Sequence, residues 1–178
     1  CRVLDLETGR ELGPDQRGEL FIRGPQVMQG YLNDAGKTAG MINSEGWLRT
    51  GDIAYADAHG NFYIVDRVKD MIISGGENIF SVEVESAIYS HPAVQECAVV
   101  GIPHDEWVET VHAIVVPRQG HVLTEDELLS HCRELIAGYK LPRSIEFRSE
   151  PLPVSGAGKI LKNELRAPYW GRMGRSVT

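Results

Sequence analysis

Short hydrophobic runs bounded by glycine and other turn formers fill the first third of the chain. Residues 18–24 read as one strand, and residues 46–52 read as a second strand that runs into a turn. The turn formers at 57–61 separate this second strand from the apolar run at 62–65, which predicts a hairpin. We therefore expect residues 1–66 to be built mainly from β-strands.

From about residue 70, strand patterns alternate with helix patterns. Four further apolar runs predict strands, at residues 71–73, 94–100, 111–117 and 145–147. Between them, Val84, Ala87 and Ile88 share one helix face, Ser81 is the expected N-cap, and Pro92 follows the end of that helix.

A second helix is predicted after the capping box that Thr124 forms with Glu127. Its apolar side is expected to carry Leu128, Cys132, Leu135 and Ile136. Gly138 is the expected end of this helix, and residues 162–166 predict a short helix near the end of the chain.

These elements predict an α+β fold with two parts. Residues 1–68 form a small β-rich part, and residues 69–170 form a compact domain with a sheet flanked by helices. Residues 171–178 are expected to be a frayed tail.

Composition narrows the classes of function. Apolar residues make up 42% of the 178 residues, which is enough for a packed core, and the ordinary charged fraction argues against disorder. The formal net charge of −7 argues against a general nucleic-acid-binding or polybasic membrane surface. No apolar run is long enough to span a bilayer, and the first residues do not resemble a signal peptide.

The three cysteines are widely separated, and no Cys/His metal-binding spacing appears, so we assign no metal ligand in this chain. Cys97 and Cys132 fall in apolar patterns and are expected to be reduced core residues, which suits a cytoplasmic protein. The chain starts at Cys1, without an initiator Met, inside what reads as a strand. We expect it to be a piece of a longer polypeptide.

Three segments carry candidate chemistry, and each also has a plain structural interpretation. Asp52 follows a glycine and could accept hydrogen bonds from vicinal hydroxyls, or could simply form an Asx-turn. The charged run at 66–70 and the glycines after it could bind a ligand, or could be a solvated linker and a turn. Lys159 ends a glycine-rich loop and could meet developing negative charge, or could be a solvated surface lysine.

Together, in this order and at these separations, the segments resemble the superfamily of acyl-CoA synthetases, firefly-type luciferases and peptide-synthetase adenylation domains. The resemblance covers nearly the whole chain. Residues 18–20, 30–31, 49–52, 66–67 and 153–159 carry it. The run at 70–79 looks most like that of fatty-acyl- and aryl-CoA ligases.

The resemblance implies a role for several residues. Asp52 would bind the ribose hydroxyls of ATP and of the acyl-adenylate, and Arg67 and Ile64 would also belong to the nucleotide site. Lys159 would be the catalytic lysine of adenylation, bridging the acyl carboxylate and the α-phosphate. Lys69 occupies the hinge position, about which a mobile C-terminal domain rotates in members of the superfamily.

A second group of residues would serve CoA. The resemblance places Gly75, Gly76 and Glu77 near the thiol tunnel, where glycine lets the backbone approach a narrow ligand closely. Trp107 resembles an aromatic residue associated with CoA, but it could equally be a half-buried packing residue. Lys140 could face the CoA phosphates, and a solvated lysine is an equal alternative.

The implied reaction has two halves. A carboxylic acid and ATP first give an acyl-adenylate and pyrophosphate, with Mg²⁺ held mainly by residues upstream of this chain. CoA then attacks the adenylate and releases AMP. Two other functions stay open: an adenylation domain that loads a carrier protein, and a folded docking module without activity, since the phosphate loop and acyl pocket of the superfamily lie upstream. The β-rich part could also pair two copies into a homodimer.

Overall fold

The computed structural model describes residues 1–171, and its internal contacts divide the chain into two units. The first unit comprises residues 1–69 and the second starts at residue 70. The expected α+β class is confirmed, since both units are built around sheets and the second adds packed helices. The assignment of the first unit to a larger nucleotide-binding domain stays a prediction.

The first unit is a four-stranded antiparallel sheet in the order β1-β2-β3-β4. Its elements are β1 (Arg2–Leu4), β2 (Gly18–Ile22), α1 (Ala35–Met41), β3 (Leu48–Ala56) and β4 (Phe62–Arg67). Strands β3 and β4 form the hairpin that the sequence predicts at 57–61. A small core forms where Val3, Leu20 and Ala54 meet on one side of the sheet.

Two features of the first unit differ from expectation. The second predicted strand does not end in a turn near Asp52, because β3 continues to Ala56. Gly51 makes this continuation possible: its φ of +72° lies in the left-handed region, which costs glycine little. Helix α1 was not expected, and it begins where the Asp34 carboxylate accepts a hydrogen bond from the Lys37 amide, 2.8 Å away.

The second unit contains a five-stranded sheet whose centre is β8. Its elements are β5 (Ile72–Ser74), β6 (Glu77–Ile79), α2 (Ser81–Tyr89), β7 (Val94–His104), β8 (Val108–Pro117), α3 (Glu125–Arg133), β9 (Ser144–Phe147) and α4 (Lys162–Gly171). Short 3₁₀ turns cover Val68–Asp70 and Gly138–Lys140. Strand β8 pairs with β5 and β7 in antiparallel fashion and with β9 in parallel.

Both faces of this sheet are buried, which explains the nearly continuous apolar runs of β7 and β8. Successive side chains of a strand point to opposite faces. Cys97 and Val99 therefore enter a cluster that includes residues of α2 and α3, whereas Ala98 and Val100 enter a second cluster that includes Leu165 of α4. Cys97 is a free, fully buried thiol, and so is Cys132, as the sequence predicted.

The helices of the second unit form where the sequence predicts them, but some of their ends differ from the prediction. The capping box of Thr124 and Glu127 is confirmed at the start of α3. Ser81 is the first residue of α2 rather than its N-cap, which is Phe80. Helix α3 ends at Arg133, so Gly138 does not terminate it, and Leu135 lies beyond the helix as an exposed residue.

The predicted frayed tail lies outside the described residues, apart from Gly171, which is the last residue of α4. Within residues 1–171, no helix has the length and apolar character that crossing a membrane would require.

Candidate functional site

Asp52 and Arg67 face each other across the β3–β4 hairpin. They are directly paired in the antiparallel register, and Arg67 Nε lies 3.5 Å from Asp52 Oδ1. Asp52 is partly exposed and Arg67 is exposed. A carboxylate with an adjacent guanidinium is therefore available to a ligand at this edge of the sheet.

The backbone around this pair is held by short hydrogen bonds. The Thr50 hydroxyl donates to the Leu20 carbonyl at 2.8 Å and accepts from the Asp52 amide at 3.1 Å. The buried carboxylate of Asp66 accepts from the Arg67 amide at 2.7 Å. Neighbouring residues thus fix the backbone on both sides of the pair, which restricts how the two side chains can move.

Ile64 lies on β4, opposite Ala54 of β3. It is 66% exposed, next to the exposed aromatic residues Phe62 and Tyr63 of the same strand. The structure therefore offers an apolar surface on the strand that carries Arg67, and the assignment of Ile64 to a nucleotide site stays a prediction.

Gly75 and Gly76 form the two-residue turn between β5 and β6. Their φ values are +60° and +84°, so both lie in the left-handed region. This is the pattern of a type I′ turn, which matches the natural twist of a hairpin and strongly favours glycine. Glu77 opens β6, pairs with Ser74 and is exposed.

Trp107 lies directly beside this turn. Its carbonyl oxygen accepts a hydrogen bond from the Gly75 amide at 3.2 Å. The imidazole of His104 stacks on the indole with centroids 4.4 Å apart, and the Arg143 guanidinium carbon lies 3.6 Å from the ring centroid. The structure thus brings Gly75, Gly76 and Trp107 together, as one site would require.

His104 and Arg143 were missed as site residues. Arg143 comes three residues after Lys140 in the sequence, but its aromatic partner Trp107 lies in the turn between β7 and β8. No local pattern in the sequence signals such a pair. The cation–π geometry, which brings a positive charge to this surface, becomes visible only in the folded chain.

Lys140 has a different setting. Its ammonium lies 2.5 Å from Glu83 Oε1 on α2, and its side chain is only 15% exposed. The structure thus commits this lysine to an ion pair that joins the second 3₁₀ turn to α2. It is neither the solvated lysine nor a member of the Trp107 stack.

Lys159 stands on a closed turn rather than a loose loop. The Ser155 amide donates to the Lys159 carbonyl at 2.8 Å, and Val154 pairs with Ile160 as an isolated antiparallel bridge. Gly158 takes a φ of +75°, which lets the chain reverse just before the lysine. The exposed side chain of Lys159 is therefore presented from an ordered backbone.

Lys69 lies in the 3₁₀ turn Val68–Asp70 and is exposed. It is the last residue of the first unit. This is a suitable place for a hinge, although its role as one stays a prediction.

Comparison with known proteins identifies the class of the molecule. Residues 83–159 match the family model of the AMP-binding enzyme C-terminal domain. The chain therefore belongs to the superfamily of adenylate-forming AMP-binding enzymes, as the sequence motifs predicted.

Its relatives include several CoA ligases. It is 47% identical over 162 residues to a feruloyl-CoA synthase from an Amycolatopsis species, covering 91% of this chain and 33% of that protein. It is also 47% identical over 163 residues to a long-chain-fatty-acid–CoA ligase of Bacillus subtilis, covering 92% of this chain and 29% of that protein. Among solved structures, ATP-bound MatB from Rhodopseudomonas palustris superposes with a TM-score of 0.88 at 37% identity, covering 94% of this chain and 33% of MatB. The chain thus spans about a third of the length of these relatives.

Proposed function

We propose that this chain is the C-terminal part of an ATP-dependent ligase that joins a carboxylic acid to CoA. The observation that carries the proposal is the surface where the Gly75–Gly76 turn meets Trp107 and its cationic neighbour Arg143. The CoA-ligase relatives support CoA, rather than a carrier protein, as the thiol substrate.

The pair on the β3–β4 hairpin suits a nucleotide. The Asp52 carboxylate can accept two hydrogen bonds from the vicinal hydroxyls of a ribose, and Arg67 adds positive charge beside it. Ile64 offers apolar surface on the same strand. We assign these residues to ATP, and then to the AMP portion of the acyl-adenylate.

Lys159 suits the first half-reaction. The acyl carboxylate attacks the α-phosphorus of ATP, a new C–O–P linkage forms, and pyrophosphate leaves. Negative charge from two anions accumulates at this point, where a positioned ammonium stabilises the transition state most. The closed turn at Ser155–Lys159 limits the freedom of the backbone that presents this ammonium. Mg²⁺ would screen the phosphates, and we place its ligands outside this chain.

The surface at Trp107 suits the second half-reaction. The thiol of CoA attacks the acyl carbon and AMP leaves. Arg143 brings a cation that can pair with CoA phosphates, and the Gly75–Gly76 turn lets a narrow pantetheine arm pass close to backbone. Between the two halves, rotation about Lys69 would exchange Lys159 for this surface, as a hinge that uses few backbone torsions.

The chain alone is expected to be inactive, since it spans only a third of its relatives and lacks the phosphate loop that the superfamily carries upstream. Its three free cysteines fit a reducing compartment, and we propose the cytoplasm.

The test separates the two half-reactions in the full-length ligase. Lys159→Ala should abolish ATP–pyrophosphate exchange but leave thioester formation from supplied acyl-adenylate largely intact. Lys69→Pro should do the reverse, because proline fixes φ and restricts the hinge. Lys37→Ala, which removes an exposed lysine on α1, is the control and should change neither rate. Wild-type exchange in the Lys159 variant would overturn its assignment, and undiminished thioester formation in the Lys69 variant would overturn the hinge.

A further inference from the structure

We propose that Val108 and Glu109 form a strained clamp that positions the Gly75–Gly76 turn against Trp107 for the thioester-forming step. In this role Glu109 is a positioning residue that acts through the backbone of β5. The effect of the clamp on catalysis rests on the proposed function. The clamp itself consists only of residues of the second unit and can be tested without that function.

The clamp starts at an unusual backbone conformation. Val108 has a φ of +69°, and its neighbours Trp107 and Glu109 are joined by a hydrogen bond of 2.8 Å from the Glu109 amide to the Trp107 carbonyl. A positive φ with a bond across three residues is the pattern of a classic γ-turn, which is rare and strained. For a β-branched residue the left-handed region is a true outlier.

Packing does not explain this strain. The Val108 side chain is 60% exposed, so valine is not held there by a core. Strained backbone persists only where the surroundings over-determine it, and it concentrates at functional sites. The surroundings here are the contacts that the turn makes with the β5–β6 hairpin.

The γ-turn directs two hydrogen-bond acceptors at that hairpin. The Trp107 carbonyl accepts from the Gly75 amide at 3.2 Å, and the Glu109 carboxylate accepts from the Ile73 amide at 3.0 Å. Backbone pairing between β5 and β8 is registered at one position, Ser74 opposite Val108. A side-chain carboxylate therefore takes the place of the next backbone acceptor along the ladder.

The Glu109 carboxylate lies in a narrow space that depends on glycine at position 101. On the neighbouring strand β7, a Cβ atom built on Gly101 would lie 2.6 Å from Glu109 Oε2, so any larger residue there would displace the carboxylate. Asp70, Lys162 and Arg166 line the same small cavity of about 10 Å³. Burial raises the pKa of Glu109, and the hydrogen bond from Ile73 offsets part of that effect. The carboxylate is thus confined to one position, facing β5.

Buried Ile72 and Ile79 anchor the base of the hairpin in the core, so the clamp acts on the turn at its other end. Strands β5 and β6 have three residues each, and β6 is the edge strand of the sheet. Without Glu109, the Ile73 amide would lose its acceptor and the turn could move away from Trp107. Thioester formation would suffer, whereas adenylation would not, since Lys159 stands on a different turn.

The test compares Glu109→Ala with Glu109→Gln in the full-length ligase, with Leu128→Ala as the control. Glu109→Ala should raise the KM for CoA by about tenfold with supplied adenylate, a loss of about 1.4 kcal/mol, and change pyrophosphate exchange less than twofold. Glu109→Gln should restore most of the KM, because the amide oxygen still accepts from Ile73. Leu128 lies on the buried side of α3 and is fully buried, so Leu128→Ala should lower the unfolding temperature without changing the KM for CoA.

Two measurements on the chain itself keep the clamp testable apart from the function. Hydrogen exchange at the Ile73 amide should accelerate at least tenfold in Glu109→Ala and stay near wild type in Glu109→Gln. Val108→Gly should raise the unfolding temperature, because glycine adopts a positive φ without strain. Unchanged exchange at Ile73, or a lower unfolding temperature for Val108→Gly, would overturn the clamp. A third outcome is also possible: the Ile73 amide exchanges faster in Glu109→Ala as expected, but the wild-type full-length protein makes no acyl-CoA. That outcome would refute the proposed function and leave the clamp intact.

Discussion

Lys159 and Lys162 are near neighbours in sequence with opposite surroundings, and this contrast gives a sharp prediction. Lys159 is exposed on its turn. Lys162 opens α4, where its ammonium lies 2.6 Å from Glu85 Oε1 and 2.7 Å from the Ser81 hydroxyl of α2. The side chains of Lys162 and Glu85 are only 15% and 14% exposed, so their ion pair is largely withdrawn from water.

We expect Lys162→Met to destabilise the second unit strongly. Removing one partner of a buried ion pair costs about 3–5 kcal/mol, because the remaining charge has lost its compensation. Glu85 keeps a hydrogen bond from the Val99 amide at 2.8 Å, which places the expected cost at the lower end, about 3 kcal/mol. For a unit of this size, that corresponds to a fall of roughly 12–24 °C in the unfolding temperature.

Urea unfolding of the chain, followed by circular dichroism, measures this cost. Lys159→Met is the matched control, since it makes the same substitution at an exposed position and should cost less than about 0.5 kcal/mol. Adding Glu85→Gln to Lys162→Met should recover part of the loss, because the amide still accepts from Val99 and carries no charge. Equal stability of the two methionine variants, or a double variant less stable than Lys162→Met alone, would contradict a stabilising ion pair between Lys162 and Glu85.

Two further predictions concern thiols and protons. Cys1 is exposed, whereas burial raises the pKa of both Cys97 and Cys132, so a thiol reagent should titrate one group quickly in the native chain and three in denaturant; fast reaction of two or more native thiols would contradict the buried core. Burial lowers the pKa of His112 below its ordinary 6.5, although Glu146 opposes the shift, so the unfolded state binds more protons below pH 6.5. The free energy of unfolding should therefore be highest above pH 6.5 and fall as the pH drops below it, and His112→Gln should flatten this slope relative to wild type in urea titrations between pH 7 and 5.

The sequence predicted those parts of the fold that depend on neighbours along the chain. The apolar run around Cys97 and Val99 indicated a strand, and both faces of its sheet proved to be buried. The capping box at Thr124 was readable because its partner lies three residues on. In such cases the pattern and the structure follow from the same local geometry.

Predictions were wrong where a distant contact decides the outcome. Ser81 reads as an N-cap, but its hydroxyl accepts a hydrogen bond from Lys162, which lies on another helix. The sequence left Lys140 open between a partner of the CoA phosphates and a solvated lysine, yet Glu83 of α2 lies within reach and draws it into an ion pair. Neither partner could be identified from spacing alone.

In the candidate site, too, features set by the local sequence were predicted and features set by distant contacts were not. The order of motifs indicated Asp52, Lys159 and the Gly75–Gly76 turn, and the structure gives each a defined setting. The left-handed backbone at Val108 could not be predicted, because valine is among the residues least suited to that region. Only the hydrogen bonds to a separate hairpin account for it.

The three hydrophobic clusters have a consequence for the history of such proteins. One cluster is made of residues no later than Ala54, and the other two are made of residues from Ile72 onward. A genetic crossover near residue 70 would therefore separate two coding segments without dividing any of these clusters. Under the proposed function, such an exchange would join the segment that carries Lys159 to an acid-binding part from another ligase, so recombination at this boundary offers a route to new specificities.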